Sequence, residues 1–231
     1  MATELAYFAD TYAFTGASHV VDVIDTASVD SALAKQLQKH PHAAILKSTV
    51  FYPQGGGQPT DCGEIRSASG TLSVAHVFMH DGLVYHQGQL AGALTAGDAV
   101  ELRVDEDTRR RNARCHSAGH VIFSLVKHYW GDSMRERKGH HFSDGAYVEF
   151  DGLLPSTETV DSVQRLVDQV VADDRRVLVT GNQVRVVQVE GFVENPCGGT
   201  HVRSTGELGK ITIRKIARKS GQNTTKISYQ V

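Results

Sequence analysis

The sequence predicts an α+β fold, and three observations predict it. Over roughly the first hundred residues, short runs rich in β-branched and aromatic residues alternate with turn residues. Near Asp105 the apolar spacing becomes helical, and toward the C-terminus strand-like runs return.

The β-rich part contains "HVVDVID", "HAAILKSTVFYP", "TLSVAHVFM", "GLVYHQGQL" and "DAVELRVD", separated by turn residues such as "DG", "AG" and "GG". Such a series covers its apolar faces by closing into a barrel or stacking as a sandwich. "VDSALAKQLQKH" reads as a short helix or connector between the first two strands. Residues 1–104 are therefore expected as an all-β domain and residues 105–231 as a second domain. The second opens with the helix "EDTRRRNARCHSAGHVIFSLVKHYW". Glu106 and Asp107 fall in its first turn, where the helix dipole favours acids, and Val121, Ile122, Leu125, Val126 and Tyr129 recur at helical spacing. A strand "AYVEFD" follows, then a helix "SVQRLVDQVVADDR" with Val163, Leu166, Val167, Val170 and Val171 on one stripe. Strands "VRVVQVE", "ELGKITIRKI" and "TKISYQV" close the chain. Helices on one face of a mainly antiparallel sheet give a two-layer α+β domain.

Composition excludes several classes. With 40% hydrophobic and 22% charged residues, the 231-residue chain reads as neither disordered nor membrane-embedded. The start "MATELAYFAD" lacks the basic and apolar regions of a secretory signal, so a cytoplasmic protein is expected. Three cysteines, Cys62, Cys115 and Cys197, make no disulfide framework; Cys115 is expected in the core, and a thiol is available for metal binding. A formal net charge of −2 argues against a generally basic nucleic-acid binder. Charge is nevertheless concentrated in "RRRNARCH", with Arg109, Arg110, Arg111 and Arg114, and in the tail, with Lys210, Arg214, Lys215, Arg218, Lys219 and Lys226. Arg110, Lys215 and Lys219 are the candidate phosphate contacts of a nucleic-acid partner. Nothing in the sequence sets an oligomeric state.

Two short motifs carry the chemistry. "NPCGGTH" sets Cys197 and His201 on either side of a Gly198-Gly199 turn, and "HSAGH" sets His116 and His120 at i and i+4 on one helical face. Together they form a mixed nitrogen and sulfur donor set of the kind Zn²⁺ prefers. "QGGGQ", from Gln54 to Gln58, lacks the Lys-Ser/Thr of a phosphate-binding loop and does not support nucleoside triphosphate binding.

"FYPQGGGQPTDCG", "HSAGH" and "NPCGGTHVRSTGELG" occur here in the order and at about the spacing that resembles the editing domain of alanyl-tRNA synthetases and the free-standing trans-editing AlaX proteins, in their medium-length form. The resemblance covers nearly the whole chain. It implies a small N-terminal β-barrel followed by a two-layer α+β editing domain, zinc at His116, His120, Cys197 and His201, and hydrolysis of alanine-specific tRNA mischarged with serine or glycine. It also implies that Gly55, Gly56, Gly57 and Gln58 line the editing pocket, where glycines admit close backbone approach and Gln58 can donate and accept hydrogen bonds. Around "MRERKGHHF" it aligns Arg137 near a pocket position that the family tends to fill with a small polar residue or an amide. Gln58 and Arg137 are thus the candidate catalytic-pocket residues for amino-acid choice. The tail "NTTKISY" stands where editing domains often show a pair of arginines.

Two other readings stay open on the sequence. One is an enzyme acting on a small amino-acid derivative with the same zinc scaffold. The other is a non-catalytic RNA-binding module with structural zinc, because four protein ligands saturate a tetrahedral site.

Overall fold

The computed structural model describes residues 2–28, 33–37, 40–181 and 185–231. The chain divides into two compact units: Met1–Gly55 with Pro59–Arg109, and Gly56–Gln58 with Arg110–Val231.

The first unit runs β1 (Glu4–Leu5), β2 (Thr15–Asp25), α1 (Ala34–Leu37), β3 (His42–Leu46), β4 (Ser48–Thr49), β5 (Gly63–Arg66), β6 (Gly70–His80), β7 (Leu83–Gly92) and β8 (Ala99–Val104). Strands β2, β3, β7, β6, β5 and β8 close a barrel in that order. Closure removes the exposed sheet edges that an open sheet would offer to other chains. In β8, Val100, Leu102 and Val104 are buried and their neighbours face outward, the period-two pattern of a strand with one face in a core. With Leu46, Phe51, Ile65, Leu72 and Val77 they fill the barrel. The expected helix or connector at residues 29–40 contains the helical turn α1, while its residues 29–32 and 38–39 lie outside the described residues.

Arg109 corrects an expectation. The sequence placed it in a surface basic run, but its side chain is wholly buried and paired with the buried Asp61 carboxylate. Its Nε donates to both Asp61 oxygens, at 3.0 and 2.9 Å, and its Nη1 donates to the Thr11 carbonyl at 2.8 Å. A buried guanidinium persists only with its donors satisfied, so Arg109 ties loops of the first unit together and is withdrawn from any phosphate.

The second unit continues α2 (Glu106–Trp130) and adds β9 (Arg135–His140), β10 (Tyr147–Asp151), α3 (Val160–Ala172), β11 (Val177–Thr180), β12 (Val186–Val189), β13 (Glu194–Pro196), β14 (Thr212–Lys219) and β15 (Thr224–Gln230). One antiparallel sheet has the order β14-β15-β10-β9, and a second has the order β11-β12-β13. Cys115, Val121, Ile122, Leu125 and Val126 of α2 are buried in one core with Val148 and Phe150 of β10 and Ile227 of β15. Tyr129, expected on the same stripe, is 54% exposed, and in the last turn of α2 it is Trp130 that packs against this core instead. α3 starts at a capping box, in which the Thr159 hydroxyl accepts from the Ser162 N–H and the Ser162 hydroxyl accepts from the Thr159 N–H. Its Val163, Val167 and Val170 are buried, with Leu166 and Val171 partly so. Among the described residues no helix is long and apolar enough to cross a membrane.

Candidate metal centre

α2 and the loop after β13 bring four donors together. His116 and His120 project from one face of α2, and Cys197 and His201 stand across the Gly198-Gly199 turn; their ligand atoms all lie within 4.8 Å of one another. His201 Nε2 is 3.3 Å and His116 Nε2 3.5 Å from Cys197 Sγ. Bond lengths of about 2.0–2.1 Å for nitrogen and 2.3 Å for sulfur around tetrahedral zinc place neighbouring donors roughly 3.3–3.7 Å apart, so these separations fit.

The chemistry of the donors fits as well. Burial pushes His120 down to about 4 and holds His116 and His201 well below their ordinary value, so all three rings are neutral near pH 7 with a lone pair to give. Burial also pushes the Cys197 thiol up to about 11, against the Gly199 N–H and the Arg185 charge, which favour the thiolate. A divalent cation among these donors would reverse that preference, since a coordinating thiol is held deprotonated. The four residues therefore suit zinc in donor type, and the separations of His116 and His201 from Cys197 fit its tetrahedral spacing.

Outer partners orient the rings. Gln58 is fully buried, and its Oε1 lies 2.7 Å from His116 Nδ1 and accepts the Thr200 N–H at 3.0 Å. Its Nε2 donates to Thr200 Oγ1 at 2.8 Å. His116 thus carries its proton on Nδ1 and presents a bare Nε2 on the Cys197 side. His201 repeats the arrangement, with Nδ1 3.3 Å from Ser117 Oγ, which also accepts the Val202 N–H at 3.1 Å. Glycine is required at several positions here, of which Gly199 and Gly57 are two. A side chain at Gly199 would strike the His116 ring, and Gly57, at φ +78°, would carry a Cβ into the Gly139 carbonyl.

Beside the donors lies a cavity of about 350 Å³, lined by His116, His120, Cys197, Asn195, Glu136, Arg137, His141 and Gly56 among others. Gly56 is at its wall, Gly57 carries the backbone contact to His141, whose N–H donates to the Gly57 carbonyl at 2.8 Å, and the Gly55 carbonyl accepts from the Tyr52 hydroxyl in the first unit. Gln58 differs from the expected pocket residue, because its hydrogen bonds are directed to His116 and Thr200. Arg137 lines the cavity half-exposed, with its guanidinium 3.7 Å from Glu149 and 3.6 Å from Asp151. Arg110, Lys215 and Lys219 are exposed on α2 and β14, away from the cavity lining.

Several cavity residues escaped the sequence reading, His141 and Glu136 among them. His141 stacks on His116 with ring centroids 4.5 Å apart, and its Nδ1 is 2.7 Å from the Tyr229 hydroxyl, which donates to the Cys115 carbonyl. Burial pushes this ring down to about 3. Glu136 accepts a hydrogen bond from Asn195 at 2.9 Å, and burial raises its carboxyl. Both lie in "MRERKGHHF", whose run of charges gave no strand signal; β9 is defined by its pairing with β10.

Comparison with known proteins agrees over both units. Residues 2–108 match the family described as tRNA synthetases class II (A), and residues 184–224 match the threonyl and alanyl tRNA synthetase second additional domain. The alanyl-tRNA editing protein AlaX-M of Methanosarcina acetivorans is 28% identical over 96% of this chain and 96% of its own length. The AlaX-L protein of Pyrococcus horikoshii is 25% identical over 98% of this chain and 57% of its own. The alanine–tRNA ligase of Methanopyrus kandleri is 32% identical over 73% of this chain. The chain spans 21–25% of the length of the alanine–tRNA ligases it matches.

Proposed function

We propose that the chain, which is similar over nearly its whole length to the alanyl-tRNA editing proteins of AlaX type, hydrolyses in trans the ester of tRNA(Ala) mischarged with serine or glycine, with zinc at His116, His120, Cys197 and His201. The observation that carries the reading is the cavity walled by three of these donors together with Asn195 and Glu136. A metal held only for folding would not need a recess of this size at its ligands.

Hydrolysis of an aminoacyl ester needs the carbonyl oriented, the developing oxyanion stabilised and the pocket closed to the correct amino acid. Zinc, when bound by the four donors, supplies positive charge to polarise a carbonyl or water. Gln58 and Ser117 hold the His116 and His201 rings so that Nε2 of each faces Cys197. Phe123 and His141 close part of the cavity wall and restrict water. His141 is itself fixed by Tyr229, and so shapes the recess without turning. Gly56 brings backbone to the cavity wall, and Gly57 packs so closely on Gly139 and His141 that a side chain there would displace them.

The tRNA body is assigned to the exposed cations Arg110, Lys215 and Lys219. Neutralising all three is expected to weaken tRNA binding and flatten its salt dependence by up to about three units of slope; an unchanged slope would remove them from the interface. The direct test of function is release of amino acid from tRNA(Ala) charged with serine, glycine or alanine. The expected outcome is rapid release of serine or glycine and slow release of alanine; equal rates for all three, or none, would overturn the reading.

A further inference from the structure

A seryl or glycyl ester differs from a peptidyl or N-blocked ester in its free α-ammonium. Resting on the deacylase reading, we propose that Glu136 binds that ammonium and is the residue by which the pocket demands a free amino group.

Glu136 is the one carboxylate among the described residues lining the cavity, which it shares with His116, His120 and Cys197. It sits on β9 opposite Phe150 of β10, next to a register shift that separates it from Arg137. One oxygen, Oε2, accepts the Nδ2–H of Asn195, two residues before Cys197, at 2.9 Å, which fixes the plane of the carboxylate. Among the described residues, Oε1 accepts no hydrogen bond and no cation pairs with Glu136. The adjacent cations are directed elsewhere, Arg137 to Glu149 and Asp151, and Lys138 toward the Tyr147 ring. A carboxylate oriented by an amide, facing a small-ligand cavity and lacking a cation of its own, is the complement of a primary ammonium. Because Glu136, His116, His120 and Cys197 line one cavity, an ammonium on Glu136 and an ester carbonyl at the donors would share the same small recess. Burial raises the Glu136 carboxyl, and a bound cation would offset that cost.

The test compares seryl-tRNA(Ala) with N-acetylseryl-tRNA(Ala) in single-substrate kinetics, with zinc content measured for each variant. The wild type is expected to prefer the free amine by on the order of 10²-fold in kcat/KM, the scale of a desolvated charge pair. Glu136→Gln keeps the size and the Asn195 hydrogen bond but removes the charge. It is expected to lose that factor for the seryl ester, chiefly in KM, while the N-acetyl substrate is unaffected and the ratio falls toward one. Glu136→Asp should retain part of the preference. An unchanged ratio in Glu136→Gln with full zinc, or an equal loss for both substrates, would overturn the proposal. Binding of a non-hydrolysable seryl-amide adenosine and its N-acetyl form, measured by calorimetry, gives the same comparison without turnover. If the wild type releases no amino acid at all, it is the deacylase reading that fails, and the calorimetric ratio still decides on Glu136.

Discussion

His86 in the barrel and His120 in the second unit are both buried, and burial pushes both down to about 4. Their surroundings differ. His86 has both ring nitrogens engaged by the first unit, Nε2 at 2.7 Å from Thr49 Oγ1 and Nδ1 at 3.0 Å from the Ala44 carbonyl. In the second unit His116 and His201 bond to Gln58 and Ser117 through Nδ1 and direct Nε2 at Cys197, with the His120 ring centroid 5.1 and 4.8 Å from theirs. Burial and a lowered pKa are thus common to a structural imidazole and a metal-ligand candidate. What separates them is where the second nitrogen goes, and the same contrast holds for charge. The barrel answers its buried Arg109 with Asp61, whereas Glu136 in the second unit has only an amide.

The largest expected effect contrasts the two histidine environments. His116→Ala should lower seryl-tRNA hydrolysis by on the order of 10³-fold, while His86→Gln, which keeps a donor and an acceptor in the barrel, should leave the rate within about twofold. Comparable losses in both variants would erase the distinction.

Next in size is the barrel's buried ion pair. Asp61→Ala leaves Arg109 buried and uncompensated and should cost about 3–5 kcal/mol in denaturant unfolding, with zinc stoichiometry unaltered. A loss below about 1 kcal/mol would mean that water reaches the guanidinium.

Smaller again is the outer partner of His116. Gln58→Ala should weaken zinc roughly 10–100-fold in chelator competition, whereas Gln58→Glu, which still accepts from Nδ1, should recover most of the affinity. Wild-type affinity in Gln58→Ala would assign Gln58 to folding alone.

The last contrast is in pH. In the fold His86 and His120 stay neutral down to about 4, while in the unfolded chain an imidazole takes up a proton near 6.5. Stability is therefore complete above about 6.5 and lost as pH falls toward 4, at up to about 1.4 kcal/mol per pH unit for each ring. Zinc adds a second loss in the same direction, because its ligands must be deprotonated. Unfolding at pH 7 and pH 5 with and without zinc should show a larger difference for the loaded protein.

Most of this architecture could be read from the residues. The long helix from Glu106 to Trp130 matches its expected span because its acids, its apolar spacing and its pair of histidines all agree on one helical register. Most strands with β-branched runs were visible for the same reason, although "VLVT", which forms β11, was passed over. β5 and β9 were not, since "GEIR" is short and "RERKGH" is largely charged, and both are held as strands by their partners rather than by propensity. The cluster of four candidate donors was legible from spacing, because HxxxH and the glycine-turned CxxxH restrict side-chain direction locally. Glu136 and the Gln58–His116 contact were not, because they depend on pairings between distant segments, 58 residues apart for Gln58 and His116. Arg109 misled because a run of arginines looks alike whether solvated or buried.

The central claim is that the imidazoles of the second unit converge for a metal and the imidazole of the barrel does not. Zinc counted by elemental analysis of purified wild type, Cys197→Ala and His86→Gln tests it most directly. The account predicts close to one zinc per chain in wild type and His86→Gln and a sharp loss in Cys197→Ala; full retention in a folded Cys197→Ala protein would contradict it.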